Sequence, residues 1–510
     1  MISKILSGSV IGIEGFDVLV EVDLSLGVPA FDIVGLPDAA VKESKERVRS
    51  AIKNSGFEFP IRRITVNLAP ADIRKEGPSF DLPIAVGILT SIGAVENSEI
   101  ENCLFSGELS LDGSIRSVNG ILSIVSKAKE NNIKRCYVSY ENRIEASLVK
   151  GIEIIGVKSL KELISHFHGV NAISPTVTDL RDTISEECLE QILNFSDVKG
   201  QATVKKALEV SAAGNHNILI IGPPGSGKTM LAKRFETILP KLSFKESLDV
   251  TKIYSVASLL NNKNKLISKR PFRSPHHTSS DSALVGGGRI PKPGEVSLAH
   301  NGVLFLDELP EFSRRALEVL RQPLEDKEVT ISRVFGTITY PANFLLIASM
   351  NPCPCGYYGS PHACTCNQNE IAKYLGKISG PLLDRIDIQV EAVYINFDEI
   401  NDTVKQESSE EILKRVLKAR EIQNARYENE NINNNSELSA AQIEKYCRLN
   451  DECKALLKNI FDKLKLSARG YHKILKVART IADLDGQEII NQYHITQAIN
   501  YRSLDRKYWF

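Results

Sequence analysis

The sequence lacks the features that would place the protein in a membrane or outside the cell. It has no run of eighteen apolar residues, and residues 1–10 contain no long apolar core, so we expect neither a membrane span nor a secretion signal. Nine cysteines in 510 residues are too few for a disulfide scaffold, and four of them are clustered. These absences favour a protein of the reducing cytoplasm.

An excess of charge of either sign is also absent, because 63 basic side chains are balanced by 63 acidic ones. A nucleic-acid partner would therefore have to meet a local basic surface. There is no internal repeat. With 42% hydrophobic and 25% charged residues, the chain has the composition of a globular protein of about two to four domains.

One short segment is the most informative part of the chain. It follows an apolar stretch at residues 217–221 and precedes a helical pattern at 230–239, which predicts strand, loop and helix in that order. Its residues are Gly222, Pro223, Pro224, Gly225, Ser226, Gly227, Lys228 and Thr229. Such a loop directs backbone N–H groups at phosphate oxygens. We expect Lys228 to reach the β- and γ-phosphates of ATP, and Thr229 to offer its hydroxyl to Mg²⁺.

Two further apolar runs end in polar residues. The first, 303–306, precedes Asp307 and Glu308; we predict that Asp307 holds Mg²⁺ through water and that Glu308 orients or deprotonates the attacking water. The second, 344–349, is followed closely by Asn351, which is placed to polarise that water or sense the γ-phosphate. Strands that end in polar residues and alternate with helices predict a parallel sheet with its ligand at the carboxyl ends of the strands.

Two arginines complete the pattern of a ring-forming ATPase. Arg385 lies in the segment 380–387, and Arg469 opens a later helical stretch. A cation near the γ-phosphate can be worth roughly 10³ to 10⁵ in rate. If Arg385 completes a neighbour's site, the chain must form a closed head-to-tail ring. The order of all these motifs resembles the AAA+ family.

The clustered cysteines predict a metal site. Cys353 and Cys355 form one Cys-x-Cys pair, and Cys364 and Cys366 form another after eight intervening residues. Four thiolates suit tetrahedral Zn²⁺, which would clamp a loop that has no apolar anchor. Free or redox-active thiols are the alternative.

Two segments depart from a minimal phosphate-loop fold. Residues 265–294 contain one acid, Asp281, and six basic residues: Lys265, Lys269, Arg270, Arg273, Arg289 and Lys292. Residues 329–340 alternate in polarity around Arg333, which predicts a hairpin. Both loops could line the pore of a ring and grip DNA phosphates, with Arg333, Arg289 and Lys292 as the contacts. The alternative is that the basic loops are simply solvated.

Four segments carry a closer resemblance: PFRSPHH at 271–277, AHNG at 299–302, NPCPCG at 351–356 and ARTIADL at 478–484. With the motifs above, they make the chain similar to the ComM/YifB group of magnesium-chelatase-like AAA+ proteins over nearly its whole length. The resemblance implies a bacterial hexameric ATPase that translocates on single-stranded and branched DNA. It also implies that the ATPase drives branch migration while incoming DNA is integrated in natural transformation.

The resemblance also implies a multidomain α/β fold. We expect a Lon-protease-like α+β domain, related to ribosomal S5 domain 2, at residues 1–170 and a polar linker at 171–194. A P-loop AAA+ core with a parallel sheet follows at 195–396, and an all-helical lid at 397–510. The core should carry a helix-2 insert at 265–294 and a presensor-1 hairpin at 329–340.

The sequence raises three alternatives to the DNA motor. Residues 75–79 resemble the serine segment of Lon, but Leu122 stands where Lon carries the lysine that would activate Ser79. We therefore expect no protease activity. A magnesium-chelatase motor subunit, or a remodelling chaperone that acts on a protein partner, would use the same ATPase core and stays as the alternative.

Overall fold

The computed structural model describes residues 2–178, 193–260, 266–288, 291–333, 336–394, 406–464 and 467–509. The chain divides into two compact units. The first consists of Met1–Glu186 with Ser243–Ser268, and the second of Glu187–Leu242 with Lys269–Phe510. Most of the predicted linker lies outside the described residues, and the domain bounds drawn from the sequence stay a prediction.

A seven-stranded mixed sheet forms the centre of the first unit, in the order β3-β4-β2-β1-β5-β8-β9. The strands of this unit are β1 (Ile2–Ile11), β2 (Glu14–Ser25), β3 (Ala30–Val34), β4 (Arg63–Ala69), β5 (Cys103–Ser106), β6 (Glu108–Leu109), β7 (Ile115–Arg116), β8 (Arg135–Ser139) and β9 (Glu153–Val157). β2 is antiparallel to both β1 and β4, whereas β5, β8 and β9 run parallel. Val18, Val20 and Val22 of β2 are fully buried, as alternation along a strand with one face on the core requires.

Helices complete the first unit: α1 (Ala39–Asn54), α2 (Asp81–Ser91), α3 (Asn97–Ile100), α4 (Ile121–Glu130), α5 (Arg143–Ala146) and α6 (Leu160–Phe167). Every residue of α2 is buried. Its one charged side chain, Asp81, accepts hydrogen bonds from two guanidinium nitrogens of Arg47 at 2.6 and 3.1 Å, which offsets the cost of burying the charge. Ser79 lies in the 3-10 turn Pro78–Phe80 that leads into α2, and Leu122 is buried in α4.

The chain passes between the units more than once. It enters the second unit at α7 (Ala202–Gly214), β10 (Ile218–Ile221) and α8 (Lys228–Arg234), then returns to the first unit as α9 (Phe244–Val256). There the Ser255 hydroxyl accepts the Gly120 N–H at 3.0 Å and donates to Glu145 at 2.6 Å. The predicted core 195–396 does not anticipate this excursion, because it depends on contacts between residues far apart in the sequence.

A five-stranded parallel sheet forms the centre of the second unit, in the order β11-β14-β17-β10-β18. The strands of this unit after β10 are β11 (Phe272–Arg273), β12 (Gly286–Gly287), β13 (Lys292–Pro293), β14 (Val303–Leu306), β15 (Glu328–Arg333), β16 (Gly336–Pro341), β17 (Leu345–Met350) and β18 (Ile388–Glu391). The predicted parallel sheet is thus confirmed. β15 and β16 are an antiparallel pair in register from Glu328↔Pro341 to Arg333↔Gly336, which confirms the predicted hairpin.

Short helices connect these strands, and longer ones follow them. They are α10 (Asp281–Val285), α11 (Glu295–Leu298), α12 (Arg314–Glu318), α13 (Arg321–Asp326), α14 (Gln368–Leu375), α15 (Gly380–Leu383), α16 (Ser409–Arg426), α17 (Ala440–Tyr446), α18 (Asp451–Leu464), α19 (Ala468–Leu484), α20 (Gln492–Asn500) and α21 (Leu504–Tyr508). The C-terminal region is therefore helical as predicted. One apolar face of α19 is buried: Leu475, Ala478, Ile481 and Ala482. Among the described residues, no helix combines the length and the apolar character needed to cross a membrane.

Candidate functional site

The phosphate loop, residues 222–229, joins the carboxyl end of β10 to α8. Gly227 precedes α8 with φ +83°, a left-handed conformation that favours glycine. The Ser226 hydroxyl donates to the Pro223 carbonyl at 2.8 Å and so holds the turn closed. The loop is thereby shaped as a cradle that ends at the first N–H groups of a helix, which is a favourable place for phosphate.

Lys228 connects the phosphate loop to Asn351, which directly follows β17, the strand next to β10. Its amine donates to the carbonyls of Gly222 and Pro223 at 2.7 and 2.9 Å, and to Oδ1 of Asn351 at 3.1 Å. Burial lowers the pKa of Lys228 to about 8, against the opposing effect of Asp307 and of its neighbour Glu308. The amine has neutral oxygen partners only, so phosphate oxygens would be stronger partners for its charge.

Asp307, at the carboxyl end of β14, is held from two sides. The Thr229 hydroxyl donates to its Oδ2 at 2.7 Å, and the Ser349 hydroxyl donates to its Oδ1. Ser349 was not predicted as a site residue. It could have been found from the register, because β14 and β17 are adjacent and pair Leu306 with Ala348. Hydroxyl and carboxylate oxygens at this point form the oxygen-rich set that Mg²⁺ requires.

Glu308 has a backbone conformation that is unusual for its residue type. Its φ is +54°, which is strained for a residue with a side chain, and its carboxylate is 53% exposed. His277, on the segment after β11, places Nδ1 3.6 Å from Oε2 of Glu308. The sequence provided no reason to assign a role to His277, because only the folded structure brings it close to Glu308.

The two predicted arginines lie together, but not with the phosphate loop. Arg385 precedes β18, and β18 runs parallel to β10 with Ile388 opposite Ile218. It therefore lies at the amino edge of the sheet, whereas the phosphate loop follows the carboxyl edge. The four residues of β10 span about 13 Å at about 3.3 Å each. The structure thus separates Arg385 from the nucleotide site of its own chain.

Arg385 and Arg469 line one cavity of about 320 Å³. Arg385 is paired with Glu325 and donates to the Pro381 carbonyl at 2.7 Å. Nine charged residues line the cavity: Arg385, Arg469, Lys327, Lys473, Lys476, Glu325, Asp384, Asp387 and Glu437. Residues 222–229, Asp307, Glu308 and Asn351 are not part of its wall.

A buried ion pair supports this cavity. Lys473, one turn after Arg469 on α19, lies 3.0 Å from Asp387, and His216 approaches the same carboxylate at 3.5 Å. Burial alone would raise the pKa of Asp387, but Lys473 and His216 hold it below its ordinary value. The contact ties the first turns of α19 to the amino edge of the sheet and so keeps the two arginines together.

The four predicted cysteines converge. Their sulfur atoms all lie within 4.8 Å of one another, the spacing of ligands around one ion. The sulfur of Cys366 accepts the backbone N–H of Cys355 at 3.4 Å, and that of Cys353 accepts the backbone N–H of Tyr358 at 3.3 Å. A hydrogen bond from the Tyr357 backbone is the largest influence that lowers the pKa of Cys355, to about 5. Four convergent thiols at this spacing fit a Zn²⁺ site.

The structure describes two of the three predicted DNA contacts, Arg333 and Lys292. Arg333 ends β15 as an exposed residue and donates to the Ser332 carbonyl at 3.1 Å, and Lys292 is exposed on β13. Arg289 lies outside the described residues. The hydroxyl of Tyr340, on β16, donates to the Pro291 carbonyl at 2.8 Å and so joins the hairpin to the insertion. The two basic loops are therefore in contact with each other.

Two other cations of the insertion have structural partners. Arg273 makes two hydrogen bonds to Glu295, at 2.6 and 2.7 Å. Arg270 donates to the carbonyls of Pro240 and Asn301 at 2.7 and 2.6 Å. The sequence shows many basic residues in this insertion and the single acid Asp281. It therefore predicted more unpaired positive charge than the folded insertion has.

The fold and the gathered side chains define a P-loop protein of the AAA+ type. Sequence comparisons agree, because three family profiles match consecutive parts of the chain. "Subunit ChlI of Mg-chelatase" matches residues 20–142, "Magnesium chelatase, subunit ChlI" matches 194–400, and "Magnesium chelatase, subunit ChlI C-terminal" matches 406–502. The chain belongs to the magnesium-chelatase-like family that includes competence protein ComM and YifB.

Two full-length relatives support this assignment. Competence protein ComM of Haemophilus influenzae is 43% identical over 97% of this chain and 96% of its own length. YifB of Escherichia coli is 42% identical over the same shares of the two chains. Lon protease 2 of Bacillus subtilis is 32% identical over a shorter stretch, 24% of this chain and 22% of the protease.

Proposed function

We propose that the protein is an ATP-driven motor that acts on DNA as a hexameric ring and promotes branch migration when incoming DNA is integrated in natural transformation. The observation that carries the ATPase part is the direct chain of contacts from Asn351 through Lys228 to the phosphate loop, beside the Thr229–Asp307 pair. The name of the relative, competence protein ComM, motivates the part concerned with transformation.

Several residues at the carboxyl edge of the parallel sheet carry out different parts of ATP hydrolysis. Lys228 exchanges its carbonyl partners for the β- and γ-phosphates, and Thr229 and Asp307 supply oxygens to Mg²⁺. Mg²⁺, once bound, neutralises charge on the phosphates. Glu308 accepts the proton of the attacking water or orients it, and Asn351 polarises that water or senses the γ-phosphate. The exposed carboxylate of Glu308 is accessible for this task.

A second copy of the chain supplies the arginines. Arg385 and Arg469 line a cavity at the sheet edge opposite the phosphate loop, so they serve a neighbour's nucleotide in a head-to-tail arrangement. Arg385 must then leave Glu325 to reach a phosphate. This exchange makes hydrolysis depend on ring assembly.

DNA binds the joined basic loops. Their exposed cations Arg333 and Lys292, together with Arg289, contact backbone phosphates in the pore of the ring. A local surface of this kind is required, because the chain has no net charge. Single-stranded and branched DNA are the proposed tracks.

The remaining assignments follow from the cysteines and the first unit. Cys353, Cys355, Cys364 and Cys366 would hold a structural Zn²⁺ that clamps the loop after Asn351. Thiolate ligands and the absence of a disulfide scaffold suit the cytoplasm. The first unit is Lon-protease-like in fold and inactive as a protease, since Leu122 replaces the activating lysine.

A second candidate function is that of a magnesium-chelatase-type motor subunit or a remodelling chaperone that acts on a protein partner. The descriptions of the three family profiles favour it. One experiment separates the two. ATP turnover is measured without DNA and with single-stranded, duplex and branched DNA, with Lys228→Ala as the control for contaminating ATPases. Stimulation by DNA supports the DNA motor, whereas turnover indifferent to all three DNAs contradicts it and favours a protein partner.

A further inference from the structure

The cysteine loop, defined as residues 353–366, lies directly against the phosphate loop. Gly356 has φ +87°, and a β-carbon on it would lie 2.6 Å from Cδ and 2.7 Å from Cγ of Pro224. Because no side chain fits at such distances, the backbone of Gly356 occupies the space beside the proline ring. Gly356 immediately follows Cys355, so a shift of the sulfur cluster moves the atoms that contact Pro224.

Asn351 connects the same two loops by a second route. It stands two residues before Cys353, which is fully buried, and its Oδ1 accepts the Lys228 amine at 3.1 Å. The start of the cysteine loop is therefore two residues from the side chain that contacts the phosphate-loop lysine.

The shape of the cysteine loop depends on what the sulfur atoms hold. Those of Cys353, Cys355 and Cys364 lie between 3.3 and 3.7 Å apart. Negatively charged sulfurs this close repel one another unless a cation lies among them. Removal of the cation would spread the cluster, and the displacement would reach Pro224 through Gly356 and Lys228 through Asn351.

We propose that the cysteine cluster and the nucleotide site are coupled binding sites, so that zinc bound by the four cysteines raises the affinity for ATP, and ATP raises the affinity for zinc. Gly356 is the positioning residue that transmits the coupling to Pro224. The inference rests on the proposed binding of ATP and zinc, and adds that neither affinity is independent of the other. Thermodynamic linkage requires the two effects to be equal.

The first test needs no variant. The affinity for a non-hydrolysable ATP analogue with excess Mg²⁺ is measured by calorimetry on zinc-loaded protein and on protein stripped of zinc by a chelator. We expect about tenfold weaker binding to the stripped protein, within the usual range of coupling between sites. Restoring zinc should restore the affinity. Equal affinities in the two forms would overturn the inference.

The reciprocal measurement follows zinc. A colorimetric chelator competes for the metal with and without the analogue, and we expect zinc to be held about tenfold more tightly with it. Lys228→Ala, which is expected to lose the nucleotide, controls for direct binding of zinc by the analogue. A shift of the same size in Lys228→Ala would overturn the inference.

Two glycines of the cysteine loop provide matched variants. Gly359 also has a left-handed φ, +73°, but a β-carbon on it meets only Nζ of Lys507, at 4.0 Å. Gly356→Ala and Gly359→Ala therefore carry a similar backbone strain, and only the first collides with Pro224. We expect Gly356→Ala to retain zinc and bind the analogue about tenfold more weakly, and Gly359→Ala to bind within about twofold of wild type.

The outcomes distinguish failure of the coupling between zinc and ATP from failure of the proposed ATPase function. Equal affinities of the two glycine variants for the analogue would show that the Pro224 contact transmits nothing. A wild-type protein that binds the analogue but holds no zinc would overturn the coupling and leave the ATPase proposal intact. A zinc-loaded wild-type protein that does not bind the analogue would remove the proposed function, and the coupling with it.

Discussion

Thr229 and Asp307 are 78 positions apart in the sequence, yet the hydroxyl of one donates to Oδ2 of the other at 2.7 Å. The contact joins the first turn of α8 to the carboxyl end of β14. Both oxygens are of the kind that Mg²⁺ takes as ligands, directly or through water. Since Ser349 donates to the other oxygen of the same carboxylate, Asp307 has a fixed orientation before any ligand arrives.

Separate mutations should distinguish phosphate binding by Lys228 from water activation by Glu308. Lys228→Ala is expected to abolish measurable ATP binding, because it removes the cation that the loop holds over its carbonyls. Glu308→Gln should bind ATP within a few-fold of wild type and lose roughly 10² to 10⁴ in turnover, the usual worth of a general base. Binding is measured by calorimetry and turnover by phosphate release. Normal hydrolysis by Glu308→Gln would contradict the assignment.

ATP affinity should fall in alkaline solution. Burial lowers the pKa of Lys228 to about 8, whereas a bound phosphate favours the charged amine. Below pH 8 the amine is already charged, so binding takes up no proton and the affinity is highest. As the pH rises above 8, binding must take up a proton and weakens by up to about tenfold per pH unit.

A conservative variant controls for other alkaline effects. Lys228→Arg keeps its charge throughout this range, because the guanidinium does not titrate below about pH 12. Its affinity for ATP should therefore be lower overall but independent of pH between 7 and about 9.5. A parallel decline in the wild type and the variant would show that the lysine is not the titrating group.

The arginines should act on a neighbouring subunit. Arg385→Ala alone is expected to lose roughly 10³-fold or more in turnover. Mixed with Lys228→Ala, it should recover part of the activity, because some interfaces then combine an intact arginine with an intact phosphate loop. Arg469→Ala should behave in the same way, since it lines the same cavity. No recovery at any mixing ratio, with rings formed, would contradict a shared site.

Zinc should be bound stoichiometrically. Freshly purified, unchelated protein is expected to contain about one Zn²⁺ per chain, and the double variant Cys353→Ser, Cys366→Ser should contain none. The buried Cys136, replaced by serine, is the control for loss of a thiol elsewhere in the chain. Metal analysis by mass spectrometry decides the question, and zinc-free wild-type protein would contradict it.

Contiguous motifs could be predicted from the sequence, whereas relations between distant residues could not. The phosphate loop, the two carboxylates and Asn351 each follow a strand recognisable by its apolar run, and a parallel sheet brings such strand ends together. The contact of His277 with Glu308 has no such local signal. Nor does the packing of α9 on the first unit, because Ser255 meets Glu145 across 110 positions.

The same limit explains why the positive charge of the insertion was overestimated. A sequence shows that Arg273 is basic but not that Glu295, 22 positions later, accepts two hydrogen bonds from it. Similarly, the joint cavity of Arg385 and Arg469 depends on the buried pair of Lys473 and Asp387. Partners of this kind are determined by packing between elements, which a single sequence does not reveal.

Arg333 should be needed for grip on DNA. Arg333→Ala removes one exposed cation per subunit, so DNA affinity should fall and the dependence of log affinity on log salt should lose about one unit of slope for each lost phosphate contact. ATP binding should be unchanged, because the hairpin does not include the nucleotide site. Lys414→Ala removes an exposed cation from α16 and is the control; an equal effect of the two variants would contradict a specific role for the hairpin.

Movement on DNA driven by ATP hydrolysis is measured as migration of a labelled branched junction. The wild type is expected to move the junction only with ATP, and Glu308→Gln is expected not to move it. Arg333→Ala should retain basal ATP turnover and lose most of the migration, because a motor that cannot grip its track can still hydrolyse ATP. Wild-type protein that hydrolyses ATP and leaves the junction in place would show that hydrolysis does not drive branch migration.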